Sequence, residues 1–256
     1  GAMERLGLGP EDCWAVNPRL VYGRMTGFGQ TGPLAQAAGH DINYVALSGM
    51  LSLSAVHGQL PVSPPTVLGD AGGALGLALG IVSGVLQARQ SGQGCVVDAA
   101  IVDMVAMLGG LAQWIASSGG LGGPAPSVFH DSPFYDVYRC ADGGFVTLGA
   151  IEPQFYALLI DKLGLSDVDL KQQFDHRTWP ALKVRLVALF ASQPRAYWEA
   201  LLEGTDVCFA PVLSLEEAAQ HPHNTARGIY QRTPSGTLSS VAAPRFHELP
   251  GANTHD

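Results

Sequence analysis

Two side chains in this sequence can carry a proton near neutral pH from what read as neighbouring helix mouths. His40 lies in Gly39-His40-Asp41-Ile42-Asn43-Tyr44, and Asp70 follows Gly69 at the start of a glycine-laced apolar stretch. A histidine and a carboxylate are the pair that a two-base proton transfer requires, one group removing a proton and the other returning one. His40 sits where the spacing predicts a helix start, so first-turn N–H groups without intrahelical acceptors point outward beside it. Such a position tunes an imidazole and offers donors to an anion forming on a bound carbonyl. A purely structural histidine is the competing reading. Asp70 reads both as an N-cap of the following helix and as a carboxylate held beside room for a ligand. Glu152, in Gly149-Ala150-Ile151-Glu152-Pro153, marks a third helix start. It is either a favourable charge–dipole placement or a carboxylate that orients a histidine.

Other patterns are weaker. His221-Pro222-His223 lacks the further ligands and spacing of a metal site and reads as a solvated loop. Thr26 to Gly32 is glycine-rich without a GxGxxG pattern or a Walker lysine. No GxSxG or Cys/His pairing suggests an acyl-enzyme nucleophile.

The elements that must hold these groups follow an α/β cadence. A short strand is predicted at Leu20–Met25, a helix over Asp41–Leu51, and a long helix over Ala71–Gln90. A buried strand at Cys95–Ala99 and an apolar helix at Ile101–Ser117 come next, which together imply parallel strands. Gly119 to Pro126 reads as a linker. Beyond it, segments 134–140 and 144–150 alternate around Ala141-Asp142-Gly143 as a β-hairpin. Helices are predicted from Glu152-Pro153 to about Leu163, at Pro180–Ala191 and at Arg195–Glu203, with a strand at Cys208–Leu213. Ser214-Leu215-Glu216-Glu217 is a capping box for a helix to Gln220, and the tail from Thr233 reads as loop. The expected layout is residues 1–118 as part of a Rossmann-like large domain carrying the acid–base residues, a linker at 119–126, a small α+β domain at 127–230 and a C-terminal return segment at 231–256.

A chain of 256 residues with 47% hydrophobic and 14% charged residues can bury a substantial core behind a lightly charged surface. Its net charge of -8 argues against nucleic acid as a partner, and it fits poorly with a complete site for a polyanionic ligand. Cys13, Cys95, Cys140 and Cys208 are widely spaced, which favours small apolar fillers in a reduced, cytoplasmic compartment. No targeting segment is recognised. Ala71 to Ala88 is uncharged and long enough to span a membrane, but its glycines predict instead a buried, closely packed helix and no membrane partner.

Several runs resemble one family. Asn17-Pro18-Arg19-Leu20-Val21-Tyr22, Thr26 to Pro33, Gly39 to Tyr44, Asp98-Ala99-Ala100 and Gly149 to Tyr156 are together similar to the racemase branch of the family III CoA-transferase (CaiB/BaiF) superfamily, in order from about Glu4 to about Pro250. The resemblance implies a family III CoA-transferase type fold, a partial Rossmann-like large domain with parallel strands plus a smaller α+β domain. It implies an isomerase acting on 2-methyl-branched acyl-CoA thioesters through an enolate, with His40 and Asp70 as the two bases. Glu152 would pair with His40 from the other subunit of an interlocked homodimer. Arg5 matches an arginine that contacts CoA, and Gly39, Asp41, Ile42, Asn43 and Tyr44 match the loop beside the thioester. No cofactor or metal is implied, CoA being part of the substrate.

The resemblance also carries alternatives. Transferases of the superfamily use an aspartate matching Asp70 as a nucleophile but generally lack the histidine, so His40 favours the racemase. The family has a further N-terminal segment supplying much of the CoA pocket, which makes this chain an apparent truncation or a non-catalytic subunit in a third reading. On that expectation the sheet exposes an apolar edge and leaves a helix face uncovered. Phe129-His130-Asp131-Ser132-Pro133 departs from the glycine-rich run usual in the racemases, which alters the acyl end of the site.

Overall fold

A computed structural model describes residues 1–54 and 59–246. The predicted return segment at 231–256 therefore lies outside the described residues from 247 onward. The chain forms two compact units, Gly1–Ser132 and Pro133–Asp256, with the Gly/Pro-rich 119–126 stretch and residues 127–132 belonging to the first.

The first unit begins with two short helices, α1 (Ala2–Arg5) and α2 (Pro10–Val16), before strand β1 (Tyr22–Thr26). A glycine-rich loop leads to α3 (Asp41–Leu47) and a 3-10 turn at Met50–Ser54. The predicted Asp41–Leu51 helix thus ends early, because Gly49 turns the backbone to φ +86°. A single π-helical turn (Val67–Ala71) runs into α4 (Gly72–Ser91), which crosses to β2 (Val96–Ala100). β1 and β2 pair in parallel, Tyr22 opposite Val96 through to Thr26 opposite Ala100, as an α/β reading requires. Helices α5 (Ile101–Leu108) and α6 (Gly110–Ser117) follow where one helix was expected. The break falls at Gly109, where a Cβ would lie 2.0 Å from the Met50 sulfur.

Helix α4 corrects the expectation of a buried helix. Its small-residue face does pack closely: a Cβ on Gly76 would meet Met104 Sδ at 2.4 Å, and one on Gly80 would meet Val97 Cγ1 at 2.5 Å. The opposite face is solvent-facing, with Leu75 71% and Leu79 64% exposed and Val82 and Leu86 likewise open. Val67–Ser91 is long and apolar enough to cross a membrane by length and composition, but its glycines are spent on contact with the sheet and α5. The core of the unit is Tyr44, Val45, Ile101 and Val105, with Phe28, Met50, Leu51 and Leu68 against it. It therefore lies directly under the start of α3.

The second unit is α+β. Strands β3 (Tyr135–Arg139) and β4 (Phe145–Gly149) form the predicted hairpin, followed by α7 (Pro153–Lys162), α8 (Trp179–Phe190) and α9 (Arg195–Leu202). Strand β5 (Phe209–Val212) adds antiparallel to β4, giving the order β3-β4-β5. Phe134, Tyr138, Leu159, Leu186, Phe190 and Leu202 are fully buried between sheet and helices. Helix α10 (Leu215–Gln220) starts at the predicted capping box, and α11 (Pro222–Arg227) follows at once. The 221–223 run is accordingly not a loop: Pro222 opens α11, and His221 Nε2 lies 2.7 Å from Glu203 Oε1. The tail from Thr233 is not loop throughout its described part, because β6 (Tyr230–Arg232) and β7 (Leu238–Ser240) pair across a turn closed by Gly236 N–H to Thr233 O, 2.8 Å. The cysteines are all unpaired, and only Cys140 is a buried filler; Cys208 is exposed at φ +53°.

The capping box yields a pH prediction. Glu217 accepts from the Arg195 guanidinium and from Ser214 N–H (2.8 Å), and these partners, Arg195 foremost, hold its carboxyl down at about 2 against an ordinary 4.5. A lowered folded value means that the contribution is complete above 4.5 and lost as pH falls toward 2. Urea midpoints of the native chain and Glu217→Gln should therefore differ most at about pH 6, draw closer by about pH 3 and converge only below about pH 2. A gap that stays constant over that range removes this assignment.

Candidate active site

His40 is the N-cap of α3, in an extended conformation at φ -134° and ψ 174°. Its own N–H donates to Asn43 Oδ1 (3.0 Å) and its carbonyl accepts from Asn43 N–H (2.8 Å), so Asn43 closes the helix start and leaves the imidazole exposed. Tyr44 anchors the loop from inside. Its hydroxyl donates to Gly39 O, and its ring meets Phe28 edge-on at 5.0 Å. Gly27 lies flat on that ring, since a Cβ there would fall 2.0 Å from Tyr44 Cε1. The backbone around His40 is therefore tied to the core through Tyr44.

Asp41 is the junction. It is 6% exposed, and its Oδ1 accepts the backbone N–H groups of both Gly69 and Asp70, each at 2.8 Å. Gly69 must be glycine for this approach, because a Cβ would stand 2.5 Å from that oxygen. Asp70 is half-buried within the π-helical turn rather than at a cap, which corrects the N-cap reading. The turn opens at Thr66, in the left-handed region at φ +63°, and is closed by Ala71 N–H to Thr66 O at 3.1 Å. Two proton carriers are thereby joined: Asp41 follows His40 in the chain and holds the backbone of Asp70 with its side chain.

The remaining expected residues divide. Ile42 is 56% exposed beside His40, and Gly39 is half-buried. Asp41 Oδ1 and the Tyr44 hydroxyl are committed to protein partners. Arg5 is exposed at the end of α1. A cleft of about 630 Å³ in the first unit is lined by residues 1–4, 20–26 and 30, and contains neither Arg5 nor His40 nor Asp70. The departure at 129–133 begins as a turn in which Ser127 N–H donates to Asp131 Oδ2 (2.7 Å) and Ser132 Oγ to Val128 O (2.6 Å).

Glu152 belongs to the second unit, exposed at the N-cap of α7 with no capping bond of its own. Its carboxylate lies near Cys208, whose thiol is pushed up first by desolvation and then by Glu152 and Asp206. The backbone beneath is pinned by Gln173, a buried residue whose Nε2 donates to Ile151 O (2.8 Å) and Ala150 O (3.3 Å). Trp179 Nε1 in turn donates to Gln173 O at 2.7 Å. The roles of Asp41, Gly69 and Gln173 were not read from sequence. A buried amide twenty-odd residues from its acceptors leaves no local signal, whereas the Gly69-Asp70 dipeptide was visible without its partner.

An imidazole and a carboxylate, linked through the Asp41 side chain, thus lie in one α/β unit whose two strands run parallel. The protein that carries it is a member of CoA-transferase family III, whose model matches residues 1–255. The chain is 42% identical over 98% of its length to "Alpha-methylacyl-CoA racemase" of Homo sapiens, and equally identical to the Mus musculus protein of that name. It spans 66% of the length of both. A CaiB/BaiF family protein from Brucella suis has the same fold, with a TM-score of 0.77 over 96% of this chain and 66% of that one at 24% identity.

Proposed function

We propose that the protein interconverts the two configurations at C2 of 2-methyl-branched acyl-CoA thioesters by 1,1-proton transfer. The observation that carries this reading is the double hydrogen bond from the Gly69 and Asp70 amides to Asp41, which keeps Asp70 beside the helix that His40 caps. His40 and Asp70 would face opposite sides of the α-carbon. One takes the proton, and the other delivers one to the opposite face of the enolate. The α-proton is far less acidic than either group, so the enolate oxygen needs donors in place before it forms. The Asp41 and Ile42 N–H groups of α3 would supply them, since the first amides of a helix have no acceptor within it, whereas Asn43 N–H is already bonded to His40 O. Gly39 to Tyr44 would then flank the thioester and Arg5 the CoA.

The same reading makes the enzyme a homodimer in which Glu152 of one copy orients His40 of the other. It needs only protein groups and the thioester, with no metal or organic cofactor. The exposed leucine face of α4 supports association, and the four unpaired cysteines support a cytoplasmic setting. The charge of -8 and the packed glycine face of α4 support neither nucleic acid nor a membrane as partner.

The test is deuterium incorporation at C2 of a 2-methylacyl-CoA in heavy water, followed by NMR. Exchange from both enantiomers is expected. No exchange by a folded chain removes the proposal. Transfer of CoA to a free carboxylate, with an Asp70 adduct trapped by hydroxylamine, would put the family's transferase chemistry in its place.

A further inference from the structure

We infer that Asp41 is the positioning residue that fixes Asp70 relative to His40, an assignment that rests on the proton-transfer reading above. An aspartate in the first turn of a helix is commonly there for the dipole, and that role is fulfilled at the surface. Asp41 is instead 6% exposed, and a buried carboxylate is costly unless its oxygens are satisfied. Its partners are the amides of Gly69 and Asp70, 28 and 29 residues away.

Those amides need it. They belong to the first turn of the 67–71 helix, where N–H groups lack intrahelical acceptors, and the local N-cap residue Thr66 makes no side-chain capping bond. Asp41 thus caps the Asp70 turn from another element, with charge-assisted bonds, the stronger kind. Two donors converging on one oxygen constrain the direction of the Asp70 Cα–Cβ bond as well as its position. Because Asp41 follows His40 in the chain, any shift of α3 carries both bases together, and their separation is preserved.

The variants are Asp41→Ala, Asp41→Asn and Gly69→Ala, made in the full chain with folding checked by circular dichroism. Asparagine keeps an acceptor oxygen in the same place; alanine does not. Gly69→Ala leaves Asp41 intact but puts a Cβ where its Oδ1 lies. For racemisation of a 2-methylacyl-CoA, Asp41→Ala and Gly69→Ala should lower kcat roughly 10²-fold with KM changed less than about threefold, and Asp41→Asn should stay within about tenfold of the native chain. In ¹⁵N-resolved spectra the Gly69 and Asp70 amide protons should move upfield in Asp41→Ala and remain near their native shifts in Asp41→Asn.

Native kcat in folded Asp41→Ala overturns the inference, as does equal loss in the Asn and Ala variants. If the native chain performs no exchange at all, the proton-transfer reading fails. The amide shifts still decide the positioning claim, and unmoved Gly69 and Asp70 signals in Asp41→Ala refute it.

Discussion

Asp70→Asn and His40→Ala should each abolish racemisation, by between about 10² and 10⁴-fold, while both variants fold as the native chain does. The effect is large because neither group has a substitute. Asparagine at position 70 keeps the shape and the backbone bonds to Asp41, which run from the amide rather than the side chain, but it cannot accept a proton. Alanine at position 40 removes the imidazole while the cap made by Asn43 uses only the backbone of residue 40. Stability should therefore change little: His40 is exposed and Asp70 half-buried, and neither belongs to the core under α3.

The two losses should not add. A 1,1-transfer needs both groups in every turnover, so the double variant should be about as slow as the worse single one. Losses that multiply in the double variant would mean that the groups act independently, and the two-base scheme would have to be given up. Chiral analysis of recovered thioester reads the rate, and α-deuterium content reads the half-reaction. One surviving base can still exchange the proton on its own face, so residual deuteration from a single enantiomer is compatible with a complete loss of racemisation.

The second large effect concerns stability. Phe134→Ala should destabilise the second unit by about 3–5 kcal/mol, toward the upper end of that range. Phe134 is 0% exposed and meets the rings of Tyr156, Trp179 and Phe174 edge-on at 5.3, 5.7 and 5.8 Å. Those rings cannot readily close on the space left. Tyr156 is fixed in α7, and Trp179 is held by its indole N–H to Gln173 O. Edge-to-face pairs also contribute beyond the area they bury, about 0.5–1.5 kcal/mol each. Urea denaturation at unchanged slope is the measurement, with Phe134→Leu as a milder control at about 1.5 kcal/mol or less. A loss below about 1 kcal/mol in Phe134→Ala would show that the site collapses freely and that the aromatic cluster is not the keystone of the unit. The consequence reaches Glu152, because Phe134 O accepts from Ala150 N–H at 2.9 Å, two residues before it.

The parts that could be read directly are those whose cause is local. Alternation on both sides of Ala141-Asp142-Gly143 became the β3–β4 pairing, and Ser214 with Glu217 became the cap of α10. Proline after Glu152 opened α7, and Gly39-His40-Asp41 marked the start of α3. Two other local signals are of the same kind. Pro222 at a first helical position announced α11, and Thr233-Pro234-Ser235-Gly236 is turn chemistry between two short strands.

The parts that could not be read depend on what lies across space. Composition alone made the Gly72–Ser91 stretch look buried all round, but burial is decided by which faces have neighbours, and here only the glycine side does. One apolar helix became α5 and α6, and at the break between them Met50, from a distant part of the chain, occupies the place of a Gly109 side chain. The site follows the same division. Sequence alone supplied an imidazole, a carboxylate and helix starts to hold them, since residue type and helix start are properties of a few consecutive positions. Tertiary structure decided that Asp70 belongs to a π-helical turn and that Asp41, next to His40 in the chain, accepts from the amides of that turn. A hydrogen bond between residues 28 apart exists only once β1, α3 and α4 have packed, so no local pattern encodes it.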